Sequence, residues 1–258
     1  MDFETLINSP KEEIKEYLEE PKKLKEMGVN LSQLGELIKK TGESITYVED
    51  LEMEKLFNLL KYSIGEEEYS NYDEETINNF FVDLIRDTGK TEEYLKNKEM
   101  MKNGLGAYII LAADKAEEYL DNPEKFKMIE LSSYEIAELI ELTGKTEEYL
   151  QDINKLKQLE LNSYNIKDLI IASGKAEEYL TSEKLEELGL KDSADAIEEL
   201  IKATGRVEEY LTPEKLKELG LMDDWGRIRE LIEATGKIEE YLTPEKLAEL
   251  GLMDAKYE

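Results

Sequence analysis

A chain of 258 residues with 62 acidic against 33 basic side chains, and so a formal charge of -29, repels nucleic-acid phosphate and anionic membrane surfaces, and neither is an expected ligand. It contains no cysteine and no histidine, which excludes disulfides, zinc-finger sites, thiol nucleophiles and any mechanism with an imidazole base. Apolar residues at 40% suffice for a core, and their regular spacing argues against the disorder that a strongly acidic composition otherwise signals.

The start, Met1-Asp2-Phe3-Glu4-Thr5, has neither the basic nor the apolar block of a secretion signal. The longest apolar stretch, residues 105–113, is far too short to cross a bilayer. A cytoplasmic location is the expectation. From the first turn of the chain onward a phrase most often written Lys-x-Glu-Glu-Tyr-Leu recurs, its tyrosine falling at Tyr17, Tyr47, Tyr69, Tyr94, Tyr119, Tyr149, Tyr179, Tyr210 and Tyr241. From Tyr119 on, the spacings are 30, 30, 31 and 31 residues; from Tyr47 to Tyr119 they are 22, 25 and 25. Self-similarity at this period marks a stacked-repeat architecture. It divides the chain into an N-terminal repeat and cap (1–42), shorter irregular repeats (43–113) and regular repeats with a C-terminal cap (114–258).

Within the unit, an apolar stripe at i, i+3 and i+4 predicts a first helix: Ile136, Leu139, Ile140; Ile166, Leu169, Ile170; Ile197, Leu200, Ile201; Ile228, Leu231, Ile232. A glycine follows at Gly42, Gly65, Gly89, Gly144, Gly174, Gly205 and Gly236, the place of a left-handed helix end, with Asp114 standing there in one unit. Ile238, Tyr241 and Leu242 then repeat the i, i+3, i+4 spacing over a single turn. Thr212-Pro213 and Thr243-Pro244 supply an N-cap and a first-position proline for a second helix. That helix runs through Leu216 and Leu219 to Gly220, and through Leu247 and Leu250 to Gly251. Helices of roughly seven to twelve residues are marginal alone and must lean on their neighbours. In the units with shorter spacing about one short helix is missing. The expectation is an all-α, right-handed α-solenoid-like array of about eight to nine repeats of about 22–31 residues. In its logic it resembles the armadillo, HEAT and tetratricopeptide class, without the signature residues of any of them.

No phosphate-binding loop, nucleophile elbow or calcium loop is present, and Gly104-Leu105-Gly106 is an isolated fragment in a helical context. No catalytic, cofactor-binding or metal-binding residues are expected. What recurs is a Glu-Glu pair before the tyrosine, at 92–93, 117–118, 147–148, 177–178, 208–209 and 239–240. Renewed in each stacked unit, these pairs form a ladder of negative charge. Glu147, Glu148, Glu177, Glu178, Glu208, Glu209, Glu239 and Glu240 are therefore the candidate partner-binding residues. The competing reading is that they complement the helix dipole and keep the array soluble. The repeated tyrosines read as core residues with the hydroxyl at the rim. Tyr134 and Tyr164, at the start of the first helix, join the candidates as exposed aromatics; Trp225, just before it, joins them as an interface anchor, its competing reading being a packing role.

The expected function is non-catalytic: an acidic, protein-binding repeat protein that inhibits a basic nucleic-acid-binding protein by imitating nucleic acid, as phage inhibitors of host defence do. The alternatives are a scaffold gripping a peptide or helix in a concave groove, and a self-assembling spacer that associates through its C-terminal end.

Overall fold

The computed structural model describes residues 1–42, 44, 48 and 53–250, and among them every regular element is helical. The chain forms two compact units, Met1–Leu142 and Thr143–Glu258. Tyr47, Gly251 and the tail 252–258 lie outside the described residues.

The second unit displays the repeat most regularly. It comprises α14 (Thr146–Gln151), α15 (Ile153–Gln158), α16 (Ser163–Ala172), α17 (Ala176–Tyr179), α18 (Ser182–Glu187), α19 (Ala194–Ala203), α20 (Val207–Tyr210), α21 (Pro213–Glu218), α22 (Trp225–Ala234), α23 (Ile238–Tyr241) and α24 (Pro244–Glu249). The long helices α16, α19 and α22 bury the apolar stripe. Each ends in a Ser/Thr-Gly-Lys/Arg sequence whose parts have separate tasks. The Thr204 hydroxyl donates to the Ile201 carbonyl at 2.6 Å and accepts from the Arg206 amide at 3.0 Å, and Ser173 and Thr235 do the same. The intervening Gly205 sits at φ 66°, where a Cβ would be strained. One helical turn follows, burying Tyr179, Tyr210 or Tyr241. The side chains of Thr181, Thr212 and Thr243 then accept the third amide of the next short helix. The short helices α18, α21 and α24 have six residues and the turns α17, α20 and α23 four, below the seven-to-twelve range expected from sequence. Each starts on a threonine cap, joined in α21 and α24 by proline at the first position, and with that start one and a half turns suffice.

The units cohere by a constant rule: α16 packs on α19 and α19 on α22, while the turns α17 and α20 pack on the following long helices α19 and α22. Each buried Leu or Ile on these faces contributes about 1.5–3 kcal/mol relative to exposure.

The first unit comprises α1 (Phe3–Ile7), α2 (Lys11–Leu18), α3 (Pro21–Glu26), α4 (Leu31–Thr41), α5 (Met53–Ile64), α6 (Glu66–Tyr69), α7 (Glu74–Asp87), α8 (Thr91–Tyr94), α9 (Lys98–Met100), a π-helical turn Met101–Leu105, α10 (Gly106–Ala112), α11 (Ala116–Leu120), α12 (Glu124–Ile129) and α13 (Ser133–Leu142). Here the missing short helix is visible. After Tyr69 the chain passes through Asp73, whose carboxylate caps the Thr76 amide at 2.8 Å, directly into the 14-residue α7. After Tyr94 the short helix shrinks to α9 and runs through the π turn into α10. Glu135 anchors that junction from α13: its carboxylate is buried, accepting from the Gly106 amide at 3.3 Å and from the Ser132 amide and hydroxyl at 3.1 and 2.7 Å. Phe81 packs edge-on against Phe80 and Tyr108, each with centroids 5.7 Å apart.

Two places depart from the sequence reading in detail. Glu130 and Glu160 adopt left-handed backbones, φ 59° and 55°, where the later units carry Gly189 and Gly220. Trp225 is the first residue of α22, with Asp224 as N-cap, instead of preceding the helix.

Candidate functional site: the acidic pairs of the single turns

In the repeats of the second unit the turn after the Gly-Lys/Arg step places two glutamates at its N-terminal end, where free amides favour negative charge. The two glutamates then diverge. The first reaches the basic residue after the left-handed helix end of the next repeat: Glu147 to Lys175 at 2.7 Å, Glu177 to Arg206 at 3.2 Å, Glu208 to Lys237 at 2.6 Å, and in the first unit, where Asp114 stands for the glycine, Glu92 to Lys115 at 2.7 Å. The carboxylate hydrogen bond holds Lys115, Lys175 and Lys237 above the ordinary lysine value. This member of the pair ties one repeat to the next.

The second glutamate meets the lysine of the short helix that follows. Glu118 pairs with Lys125 and Glu148 with Lys155, and these hydrogen bonds hold both carboxyls below their usual range. The same ammonium groups lie over the Tyr119 and Tyr149 rings, 5.7 and 5.3 Å from the centroids. In the last three repeats the lysine takes a different carboxylate, although Lys246 still lies over the Tyr241 ring, 5.9 Å from its centroid. Lys184, Lys215 and Lys246 each bind a glutamate three residues on, Glu187, Glu218 and Glu249, at 2.9 Å. The corresponding residues after Lys125 and Lys155 are Met128 and Gln158, which offer no carboxylate. Glu178, Glu209 and Glu240, exposed like Glu118 and Glu148, consequently form no ion pair among the described residues; Glu239, the first member of its pair, is in the same state.

The acidic ladder is therefore not uniform. Of the glutamates the sequence nominates, Glu147, Glu177 and Glu208 join repeats and Glu148 serves its own unit, whereas Glu178, Glu209, Glu239 and Glu240 form no ion pair among the described residues. Tyr134 and Tyr164 are exposed, at 61% and 54%, and each is the second residue of its long helix; in α19 and α22 that place holds Asp195 and Gly226, so the tyrosines form no continuing row. Trp225 is half-buried.

A second charged cluster, absent from the sequence reading, runs along the long helices. Buried Glu198 accepts from Arg227 at 2.9 Å and pairs with Lys202, while Arg227 also reaches Asp195 at 2.7 Å and Glu230 at 3.5 Å. Burial pushes the Glu198 carboxyl up, but hydrogen bonds from Lys202 and Arg227 outweigh it and hold the group below its ordinary value. Lys167, also buried, binds Asp168 at 2.7 Å and Glu199. A charged residue beside the apolar stripe, at Lys167 after Ile166 and at Glu198 after Ile197, was the available signal.

Two grooves open on the first unit. One of about 970 Å³ is lined by Lys22, Lys25, Lys61 and Tyr62 together with Glu26 and Glu66. The other, about 530 Å³, is lined by Leu31, Tyr72, Asn79 and Phe80 among others. Among the described residues no group of three or more carboxylates is disposed to hold a metal ion, and no helix is long and apolar enough to cross a membrane. Comparison of the chain with family models, curated proteins and solved structures returns no match.

Proposed function

We propose that this is a non-catalytic, cytoplasmic binding protein whose repeats stack as a right-handed α-solenoid, and that its acidic surface occupies the polyanion-binding face of a basic, nucleic-acid-handling protein and so inhibits it. The observation that carries the reading is the run of three successive repeats in which Glu178, Glu209 and Glu240 stay without an ion pair among the described residues, while Glu147, Glu177 and Glu208 beside them are tied to cations of the next repeat. Uncompensated charge at a fixed interval on a stiff support presents a long-range field, which accelerates and orients encounter with a basic surface. The overall charge of -29 far exceeds the magnitude of about 2–8 that serves solubility in a small domain. Such a surface repels nucleic acid and anionic lipid, so the partner is a protein.

The test is retention of proteins from a cell lysate on the immobilised chain at low salt. Release of a retained nucleic-acid-binding protein by added DNA, and by raised salt, supports the reading. A partner held through high salt and indifferent to DNA favours instead a peptide or helix scaffold, to which the 530 Å³ groove bearing Tyr72 and Phe80 would be suited.

A further inference from the structure

One register position, counted back from the left-handed residue that ends each long helix, governs what lies between neighbouring long helices. Lys167 stands seven residues before Gly174 on α16 and is buried. Its ammonium binds Asp168 at 2.7 Å and Glu199 on α19, each six residues before the glycine of its own helix, Gly174 and Gly205. The seventh place holds a buried side chain also at Val82, Ala107, Ala137 and Glu198. In α4 it holds Gly35, seven residues before Gly42.

α4 packs on α7 as α16 packs on α19, and Gly35 lines the groove of about 530 Å³ that opens there. The groove repeats the lysine's partners in register. Glu36 is six residues before Gly42 and Asp83 six before Gly89, the places of Asp168 and Glu199, and both belong to its lining. Glu36 forms no ion pair among the described residues. Asp83 meets Arg86 at 3.8 Å, a guanidinium held more closely by Asp114 at 2.7 Å. Lys39, also in the lining, forms no ion pair among the described residues, so two carboxylates outnumber one ammonium. Half-buried Phe80 supplies an apolar wall. α4 packs in addition on α2, and α7 on α10, so the groove lies within the run of helices and not at its end.

We propose that this groove receives a lysine side chain from an extended segment of a partner protein. Its ammonium takes, between Glu36 and Asp83, the place that Lys167 fills in the later repeat. The aliphatic stem lies along Gly35 and Phe80, where a Cβ of the chain's own would already stand 3.3 Å from Phe80 Cε2, and the charged head stays at the polar rim. The inference goes beyond the acidic-surface reading and does not rest on it, since that reading puts the partner on exposed glutamates of the second unit.

The probe is an end-capped peptide, Ala-Leu-Lys-Leu-Ala, titrated into the isotope-labelled full chain at physiological ionic strength and followed by the amide resonances. Saturable shifts confined to α4 and α7 are expected, with Gly35 as reporter. Norleucine in place of the peptide's lysine keeps the stem and removes the ammonium; it should weaken binding by about tenfold or more, as should Glu36→Gln combined with Asp83→Asn. Gly35→Lys supplies the lysine from within the chain and should abolish binding. Glu178→Gln, Glu209→Gln and Glu240→Gln together should leave it unchanged. Shifts that never saturate or that spare α4 and α7 overturn the proposal, as does equal binding of the norleucine peptide. Loss of binding in the triple variant, with the Glu36 and Asp83 variant unaffected, would put the peptide on the acidic pairs; that result overturns the groove and leaves the acidic-surface reading standing.

Discussion

Residues 53–112 and residues 143–250 use the same glycine, single turn and tyrosine, yet they hold themselves together differently. In the later region cohesion is distributed: every repeat buries the same tyrosine, Thr181, Thr212 and Thr243 cap the last three short helices, and Glu147, Glu177 and Glu208 each give one ion pair to the next repeat. In the earlier region the short helix is absent after Tyr69 and fused into a π turn after Tyr94, and cohesion is concentrated in a few specific contacts. Gly106, Glu135, Tyr108 and Phe81 form that junction, with the Tyr108 hydroxyl 3.0 Å from Asn78 Oδ1 and 3.1 Å from Glu138 Oε1. A regular array tolerates change because no single contact is unique; an irregular one is keyed.

The sharpest way to break this contrast is to add one methyl group in each region. At Gly106 a Cβ would lie 2.2 Å from Leu131 Cδ1, 2.7 Å from the Met101 carbonyl oxygen and 2.9 Å from Glu135 Oε1. Gly106→Ala is expected to cost about 3 kcal/mol in denaturant unfolding, since backbone and a capping carboxylate must both shift. At Gly144 nothing lies within 4 Å of such a Cβ, and only the left-handed backbone at φ 67° resists. Gly144→Ala should cost about 1 kcal/mol. Equal costs would refute the distinction between keyed and distributed cohesion.

Within the regular region the buried Glu198 cluster is the exception that sharpens the rule. Glu198→Gln should cost about 2 kcal/mol at neutral pH, because Arg227 and Lys202 lose a buried anion. The pH dependence has a definite sign. The folded Glu198 carboxyl titrates below its ordinary 4.5, so its contribution is complete above that value and is lost as pH falls through the lower folded value. Unfolding free energies of the parent and the variant should therefore converge in acid. A gap that stays constant down to the end of the carboxylate range would show that Glu198 acts by shape alone.

A smaller effect has the opposite sign. Glu160 holds a left-handed backbone where Gly189 and Gly220 stand in later repeats. Glu160→Gly should raise the melting temperature, by relief of about 1 kcal/mol of strain less the entropy that glycine adds to the unfolded chain. A lower melting temperature would mean that the glutamate side chain contributes more than its backbone costs.

Much of the fold is written locally and could be read from the chain. The i, i+3, i+4 stripes, the glycine at each helix end, Asp114 standing in for one of them at φ 55°, and the Thr-Pro starts all act within a few residues. What was not legible depends on residues far apart in sequence. The π turn holds Gly104 at φ 77°, but the carboxylate that meets the Gly106 amide at its end, Glu135, lies 29 residues away. The two members of each acidic pair look alike in the sequence, and only the structure shows the first meeting a cation about one repeat away. Part of the answer was nevertheless local: Glu187, Glu218 and Glu249, three residues after a lysine, mark the repeats in which the second glutamate is left without that lysine, whereas Met128 and Gln158 mark those in which it keeps it.

The division within the pairs is the central claim, and two sets of charge-neutral substitutions test it most directly. Replacing Glu178, Glu209 and Glu240 with glutamine should abolish retention of the basic partner and leave the melting temperature unchanged. Replacing Glu147, Glu177 and Glu208 should lower stability by about 1–2 kcal/mol in total, the sum of exposed ion pairs worth under about 1 kcal/mol each, and leave most retention intact. If the two sets weaken retention equally, or if the first set leaves it untouched, the second glutamates are not the binding surface.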